Sequence, residues 1–591
     1  MSALPVPGAD EFDSARVLGA PEPLRAFNEA GVLAAADVHV AVRLAALAGE
    51  DGGAVALAAA LAVRGPRLGH VYVDLATIRE TAAVEGEEPV DLAALPWPEP
   101  REWLERIAAS ALVGEDRPLR LEGSALYLDR YWREERRLAD DLRGFSEAPP
   151  EPGAREAELA RLFPEDGLQR KAAETAARRR FAVIAGGPGT GKTTTLARIV
   201  ALLAAPGDGT APREAPLIAL AAPTGKAAAR LEEAVHDEAR KLGATGLLDL
   251  HAMTLHRLLG RRPGSHSRFR HHRGNRLPHD VVIVDETSMV SLSLMARLVE
   301  AVRPEARLIL VGDPGQLASI EAGAVLGDIV RPGRPGIVVL ERVHRFGAGI
   351  AQLAEAVRAG DADAVIETLE GAPDGIAWLP VDVAAVPEAL APVRDEAVAA
   401  ARAVIEAAAA GASAEAIAAL GAFRVLCGHR RGAYGVSTWV ARIEGWLAEA
   451  VDGFAARGRW YPGRPLLVTE NDYGLGLYNG DTGVIVAAGE GIAAAFERRG
   501  EVLALPPTRL AAIDTVYAMT VHKSQGSQYR TAAVLLPDPS SRVLTRELLY
   551  TAVTRAQERL ILAGTEEAVR AAVERPVARA SGLGARLWDG V

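Results

Sequence analysis

The chain has little lysine, almost no cysteine and no long apolar run, and each shortage excludes something. Cys427 is the only cysteine in 591 residues, which rules out an internal disulfide and a Cys-based metal cluster. It also fits a reducing, cytoplasmic setting. No stretch reaches the ~18 uninterrupted apolar residues of a membrane span, and the alanine-rich tract 396–423 is broken by Glu and Arg. The opening MSALPVPGADEFDSARV lacks the basic-then-apolar layout of a secretory leader. A net charge of −11 removes any global attraction to nucleic acid, so such a site has to be a local basic patch.

The lysine shortage points to particular places. Of 66 basic residues only five are lysine: Lys171, Lys192, Lys226, Lys241 and Lys523. Where arginine serves for charge alone, a remaining lysine marks a position that needs a compact ammonium. Three of the five fall in motifs described below.

What is present suits a large globular enzyme. Half of the residues are apolar and a quarter charged, and the length allows three or four domains of ~150 residues. Residues 1–145 read as Ala-rich helices with short apolar runs such as GHVYVDL, and the Pro-rich SEAPPEPGA (146–154) predicts a boundary near 150. Beyond it, helical segments alternate with FAVIAG (181–186), LIALAAP (217–223), DVVIVDE (280–286) and RLILVGD (307–313). That rhythm predicts βαβ units and a parallel sheet over 151–345. A second such region, 346–591, holds FRVLCG (423–428), AAVLLP (532–537) and RLILAG (559–564). Within it, alternating apolar runs and an NGD turn at 479–481 predict a small β-barrel inserted at about 463–512.

GGPGTGKTT (186–194) matches the phosphate-binding loop G-x-x-x-x-G-K-[ST] and lies between a strand and an amphipathic helix. Backbone N–H groups of Gly186, Gly187, Gly189, Thr190 and Gly191, in a loop bent at Pro188, can close around phosphate oxygens at a helix N-terminus. Lys192 would reach the β- and γ-phosphates, Thr193 would hold Mg²⁺, and Thr194 completes the loop. In VVIVDETSM (281–289) Asp285 closes a strand as a second metal ligand and Glu286 can polarise the attacking water. Gln316, in LVGDPGQL, is placed to sense the γ-phosphate, and Gln169, before the loop, can read the adenine edge of ATP. Arg345 in VHRFG and Arg555 in YTAVTRAQERL are candidates to neutralise charge on the transferring phosphoryl group from a facing domain.

Taken in order with APTGKAAARL (222–231), TLHRLLG (254–260), LYNGDTG (477–483) and VHKSQGSQY (521–529), these motifs resemble the superfamily 1 helicases of the 5′→3′ branch. Within that branch they are similar to the RecD family, the alpha chains of exodeoxyribonuclease V. The resemblance runs from Gln169 to Leu562 and more weakly upstream to RLGHVYVDLATI (67–78) and LYLDRYWREE (126–135). One departure is Thr287, where the family usually has Ala.

The resemblance implies an α/β fold of two RecA-like P-loop motor domains, a mostly helical N-terminal domain and an SH3-like barrel in the second motor. It implies ATP and Mg²⁺ between the motors and single-stranded DNA, drawn from an unwinding duplex, across their tops. It also implies RecB-like and RecC-like partners in a heterotrimer that processes DNA ends in double-strand break repair. Residues 1–150 would then dock on the RecC-like chain, and cleavage would belong to a partner. VHKSQGSQY would couple ATP to DNA, with Thr520, His522 and Lys523 as phosphate or nucleotide contacts. Thr224 and Lys226 at one helix start, and Thr254 and His256 at another, are the matching DNA candidates, although His256 could equally be a buried histidine.

RRPGSHSRFRHHRGNR (261–276) holds six Arg and three His with no acid, where this branch carries a projecting hairpin (about 260–278). Arg268, Arg270 and Arg273 are therefore expected at DNA phosphates. Two other readings remain open from the sequence: a free-standing helicase of the same branch, and a scaffold that binds ATP without using it. The intact Glu286, Gln316, Arg345 and Arg555 argue against the scaffold.

Overall fold

The computed structural model describes residues 16–589 apart from 51, 83–90, 151–155, 166, 206–215, 263–267, 320, 342–346, 455–457, 473 and 499. Among these, four sheets organise the chain. The N-terminal helices enclose a three-stranded antiparallel sheet of β1 (Tyr72–Asp74), β2 (Leu119–Glu122) and β3 (Ala125–Leu128), in the order β1-β3-β2. The runs GHVYVDL and SALYLDRYW supply β1 and β3, so this mostly helical region has a small sheet at its centre.

The first large sheet contains β4 (Phe181–Gly186), β5 (Ile218–Ala222), β6 (Ala252–Thr254), β7 (Val281–Val284), β8 (Arg307–Gly312) and β9 (Ile337–Leu340). Its order is β6-β5-β7-β8-β4-β9, with every ladder parallel. Every residue of β4, β5 and β7 is buried. Helices cover both faces, which is why these strands read as unbroken apolar runs rather than alternating ones. The sequence reading found four of the six strands and missed the short β6 and β9. Thr287 donates its hydroxyl to Val284 O (3.1 Å) and Val311 O (2.8 Å), so this departure from the family pattern ties the ends of β7 and β8 together.

The second large sheet begins with β10 (Ile376–Leu379) and β11 (Phe423–Cys427). It is then interrupted by β12 (Pro465–Val468), β13 (Thr482–Ala488), β14 (Gly491–Arg498), β15 (Glu501–Leu505) and β16 (Ile513–Thr515). It resumes with β17 (Ala518–Thr520), β18 (Tyr529–Leu535) and β19 (Ala556–Ala563), giving the all-parallel order β10-β19-β18-β11-β17. The interruption is the expected insertion. It is antiparallel, ordered β15-β14-β13-β12-β16, with a core of its own around Leu466, Ile485 and Phe496. Among the described residues its edge strands β15 and β16 do not pair, so the ladder stays open where a closed barrel was expected.

The Pro-rich break is not where one core ends and the next begins. Helix Asp129–Ser146 precedes it, yet Leu138, Leu142 and Phe145 share a buried cluster with Phe181, Val183 and Val282 of the first large sheet. The C-terminal segment reinforces the junction. After leaving the second large sheet it returns across the molecule, where Ala580 O accepts from Val71 N (2.7 Å) and helix Leu583–Trp588 packs on helix Asp129–Ser146.

At the centre of that junction is Glu135, which is fully buried. It accepts from Arg586 Nε (3.0 Å), Gly582 N (2.9 Å) and Ser581 Oγ (3.2 Å). Desolvation raises its pKa, and the hydrogen bond from Arg586 opposes the rise. Removing one partner of a buried pair leaves an uncompensated charge, at a cost of about 3–5 kcal/mol. Arg586→Ala should therefore lower the thermal denaturation midpoint markedly. Arg240→Ala, which breaks an exposed pair with Asp237, should shift stability by less than ~1 kcal/mol. Equal midpoints for the two variants would refute the junction's role.

Candidate nucleotide cleft and nucleic-acid face

The phosphate loop leaves the C-terminal end of β4 and enters helix Lys192–Ala204. Gly189 (φ 78°) and Gly191 (φ 81°) take left-handed conformations that let the chain wrap around a small centre. Lys192 Nζ folds back to donate to Gly186 O (2.6 Å) and Gly187 O (2.8 Å), and Thr190 Oγ1 donates to Gly187 O (2.8 Å). Gln169 rests on the loop, since a Cβ at Gly191 would come within 2.7 Å of its Nε2. Beside them lies a hollow lined by Phe163, Leu168, Gln169, Thr194 and Leu340.

Asp285 and Glu286 follow β7 directly, and Glu286 N donates to Asp285 Oδ1 (2.8 Å). Glu286 adopts φ 51°, ψ 40°, a left-handed conformation that costs a non-glycine residue roughly 1–2 kcal/mol. Such strain persists where the surroundings over-determine it, commonly at functional sites. Burial, then the neighbouring Glu286, pushes Asp285 up to about 7, and Lys192 opposes the rise. Gln316 is buried, and its Nε2 donates to Asp313 Oδ2 (2.9 Å).

These groups and Arg555 of the second motor line a single cleft that includes Lys192, Thr193, Asp285, Glu286 and Gln316. Arg555 is almost wholly buried and donates only to neutral oxygens in the bonds it makes: Thr551 O (2.9 Å), Ser527 O (3.0 Å) and Thr554 Oγ1 (3.2 Å). Burial lowers its pKa, and the opposing charges that counter this are Glu286 and Asp313 of the first motor. Arg345 lies outside the described residues.

Three residues in or beside this cleft were missed by the sequence reading. Arg230 lines it and donates to Gly526 O. Its signal was its place one turn after Lys226 on helix Gly225–Leu242. Asp313 organises the Gln316 turn, accepting also from Gly315 N (3.0 Å), and Tyr550 reaches it from the second motor. No one-dimensional pattern marked either of these.

The candidate DNA contacts divide into two groups. Arg268 and Arg270 are exposed on either side of Phe269, which forms an antiparallel bridge with Arg261. Arg273 is drawn instead into an ion pair with Asp141 (2.6 Å), an acid contributed by the N-terminal region rather than by the segment itself. His256 packs against Phe269, and burial, then Arg261, lowers its pKa. Thr254 Oγ1 and Thr224 Oγ1 act as helix caps, accepting from Arg257 N (3.3 Å) and Ala227 N (3.2 Å). Lys226 donates to Ser527 Oγ (2.7 Å), with its pKa pulled down to about 7 by desolvation and then by Arg230. Tyr478 of the insertion lies against Gly225, leaving no room for a side chain there. The helix start that was expected to meet a phosphate is thus covered by the second motor.

The remaining candidates stand at the end of β17 and in the turn that follows it. Thr520 is buried, and its Oγ1 accepts from Lys523 N (3.2 Å). His522 is lowered by burial and by Arg579 and Arg430. Gln525 Nε2 crosses to Leu317 O (2.7 Å).

The chain is similar to known proteins along nearly its whole length. Family models match for an AAA domain (166–374), a UvrD-like helicase C-terminal domain (515–563) and the RecBCD enzyme subunit RecD N-terminal domain (29–127). The RecBCD enzyme subunit RecD of Mycolicibacterium smegmatis is 51% identical over 569 residues, covering 95% of this chain and 99% of that protein. That of Mycobacterium tuberculosis is 52% identical, covering 95% and 96%. The ATP-dependent RecD2 DNA helicase of Deinococcus radiodurans is 31% identical, covering 79% of this chain but 58% of that protein. With relatives more than half identical along nearly its whole length, the chain belongs to the RecD family.

Proposed function

We propose that the chain is an ATP-driven 5′→3′ DNA helicase, acting as the alpha subunit of a cytoplasmic helicase–nuclease complex with RecB-like and RecC-like partners. The observation that carries this reading is the gathering of Lys192, Asp285, Glu286 and Gln316 from one sheet and Arg555 from the other into one cleft. A free-standing helicase fits less well, because the match to RecD2 covers little more than half of that protein.

In this reading Gln169 holds the adenine, and the loop from Gly186 to Thr194 wraps the phosphates. Lys192 exchanges its bonds to Gly186 O and Gly187 O for phosphate oxygens. The donor set also fits Mg²⁺. Asp285 is a buried carboxylate crowded by Glu286, and Thr193 lines the same cleft, so a dication there would hold Asp285 in its ionised form. When bound, Mg²⁺ would supply charge neutralisation at the phosphates. Glu286 takes the proton from the attacking water, and Arg555 (with Arg345 assigned the same role by its motif) neutralises charge on the γ-phosphoryl group. Thr224 and Lys226, at the helix start against Tyr478, then reach DNA only when the second motor shifts, whereas Thr254, the exposed His256, Thr520, His522 and Lys523 are assigned to DNA by their motifs.

Lys192→Ala should abolish DNA-stimulated hydrolysis. Glu286→Gln should keep ATP binding while cutting turnover by about 10²–10⁴-fold, the usual worth of a general base. Normal turnover by the Gln variant would remove Glu286 as the base and, with it, the core of this reading.

Replacing exposed Arg268 and Arg270 with Ala should weaken single-strand binding and flatten the slope of log affinity against log salt, by about 0.7 per lost phosphate contact. An unchanged slope would make the hairpin a solvated loop.

Helix Ala35–Ala48 exposes Val40 and Leu47, at 42% and 69%, on the N-terminal region assigned to the RecC-like partner. Val40→Asp with Leu47→Asp should abolish co-purification of the partner chains without altering the thermal midpoint. Recovery of the intact complex would place docking elsewhere.

A further inference from the structure

We propose that Tyr550 is a positioning residue for ATP hydrolysis, which reaches across from the second motor and orients the Gln316 amide through Asp313. The assignment rests on the ATPase reading above and names a residue that reading does not use.

Tyr550 lies on helix Arg546–Val553, and its ring belongs to the apolar core of the second motor with Leu549 and Val553, where Leu317 of the first motor also packs. Its hydroxyl leaves that core. A Cβ placed on Gly187 would stand 2.8 Å from the hydroxyl oxygen, and one on Gly315 would stand 3.4 Å from the ring, so the side chain bridges the phosphate loop and the Asp313–Gln316 turn. The hydroxyl faces the Asp313 carboxylate closely enough to be perturbed by it. Burial, then Asp313, raises the phenol's pKa, so the group stays protonated and donates.

Asp313 is itself buried and accepts from Gly315 N and Gln316 Nε2 as well. A carboxylate only accepts, so the amide meeting it has to present its nitrogen. That fixes which way Gln316 faces. One N–H is committed to Asp313, while the other N–H and the carbonyl oxygen remain for the cleft that Gln316 lines with Glu286. Only when the second motor is seated does the tyrosine hydroxyl hold the carboxylate from the far side. Leu317 N donating to Thr551 Oγ1 (2.9 Å), one residue along on each side, keeps the two segments in register. The geometry therefore makes the reactive orientation of a first-motor amide conditional on the position of the second.

The test is steady-state ATP hydrolysis by the full-length chain with a single-stranded oligonucleotide. Tyr550→Phe, which keeps the ring, should lower kcat about tenfold, the worth of one hydrogen bond to a charged group, with KM nearly unchanged. In a Gln316→Ala background the same substitution should cost almost nothing further, because the hydroxyl acts through Gln316. A tyrosine that merely packs would lose the same factor in both backgrounds, and that result, or an unchanged kcat, overturns the assignment. Should Tyr550→Phe lower the thermal midpoint, Asp313→Asn, which retains the tyrosine, is expected to show the same dependence on Gln316; equal losses in both backgrounds overturn it there too. Absence of hydrolysis by the unaltered chain would defeat the ATPase reading and this assignment together, whereas an active chain indifferent to Tyr550 defeats this assignment alone.

Discussion

Two carboxylates side by side in a desolvated cleft repel each other, and the site at Asp285 and Glu286 depends on how that repulsion is met. Burial already raises Asp285, and Glu286 adds to the rise. The compensating charges come from different parts of the chain. Lys192 stands on the phosphate loop of the first motor, and Arg555 arrives from the second, itself buried with only neutral hydrogen-bond partners. Each unpaired charge is costly in a medium of low polarity, and each relieves the other across the cleft. The electrostatics of the site are therefore completed only when both motors are present.

The same junction carries a mechanical link. Residues 525–527, between β17 and β18, are gripped from the first motor by Arg230 at Gly526 O, by Lys226 at Ser527 Oγ and by Leu317 O at Gln525. Ser527 O in turn accepts from Arg555. One short turn thus touches both the helix start expected to face DNA and the arginine proposed to neutralise the γ-phosphoryl group. In the proposed reading, movement of either would pass to the other through these hydrogen bonds. Remote from the cleft, the returning C-terminal segment holds the N-terminal region to the first motor through buried Glu135, giving the moving parts a fixed base.

The sequence by itself determined the chemistry that is local. A phosphate loop is marked by its own spacing, and the acidic pair at a strand end and the glutamine in a tight turn take their meaning from its company. Long parallel strands buried on both faces were legible as unbroken apolar runs. The three-residue β6 and β17 carry too little pattern to stand out.

What only the tertiary structure decided is which charges and hydroxyls meet across hundreds of residues. The basic segment has no acid of its own, yet Arg273 finds Asp141, and Lys226 finds Ser527, 301 positions away. Tyr550 reads as one more core aromatic until its hydroxyl is seen over Gly187 and Asp313. The Pro-rich break looks like a boundary, but the apolar face of helix Asp129–Ser146 is satisfied only by the sheet beyond it. A hydrogen bond or a buried contact depends on distance in space, and the chain's return path, not its local composition, sets that distance.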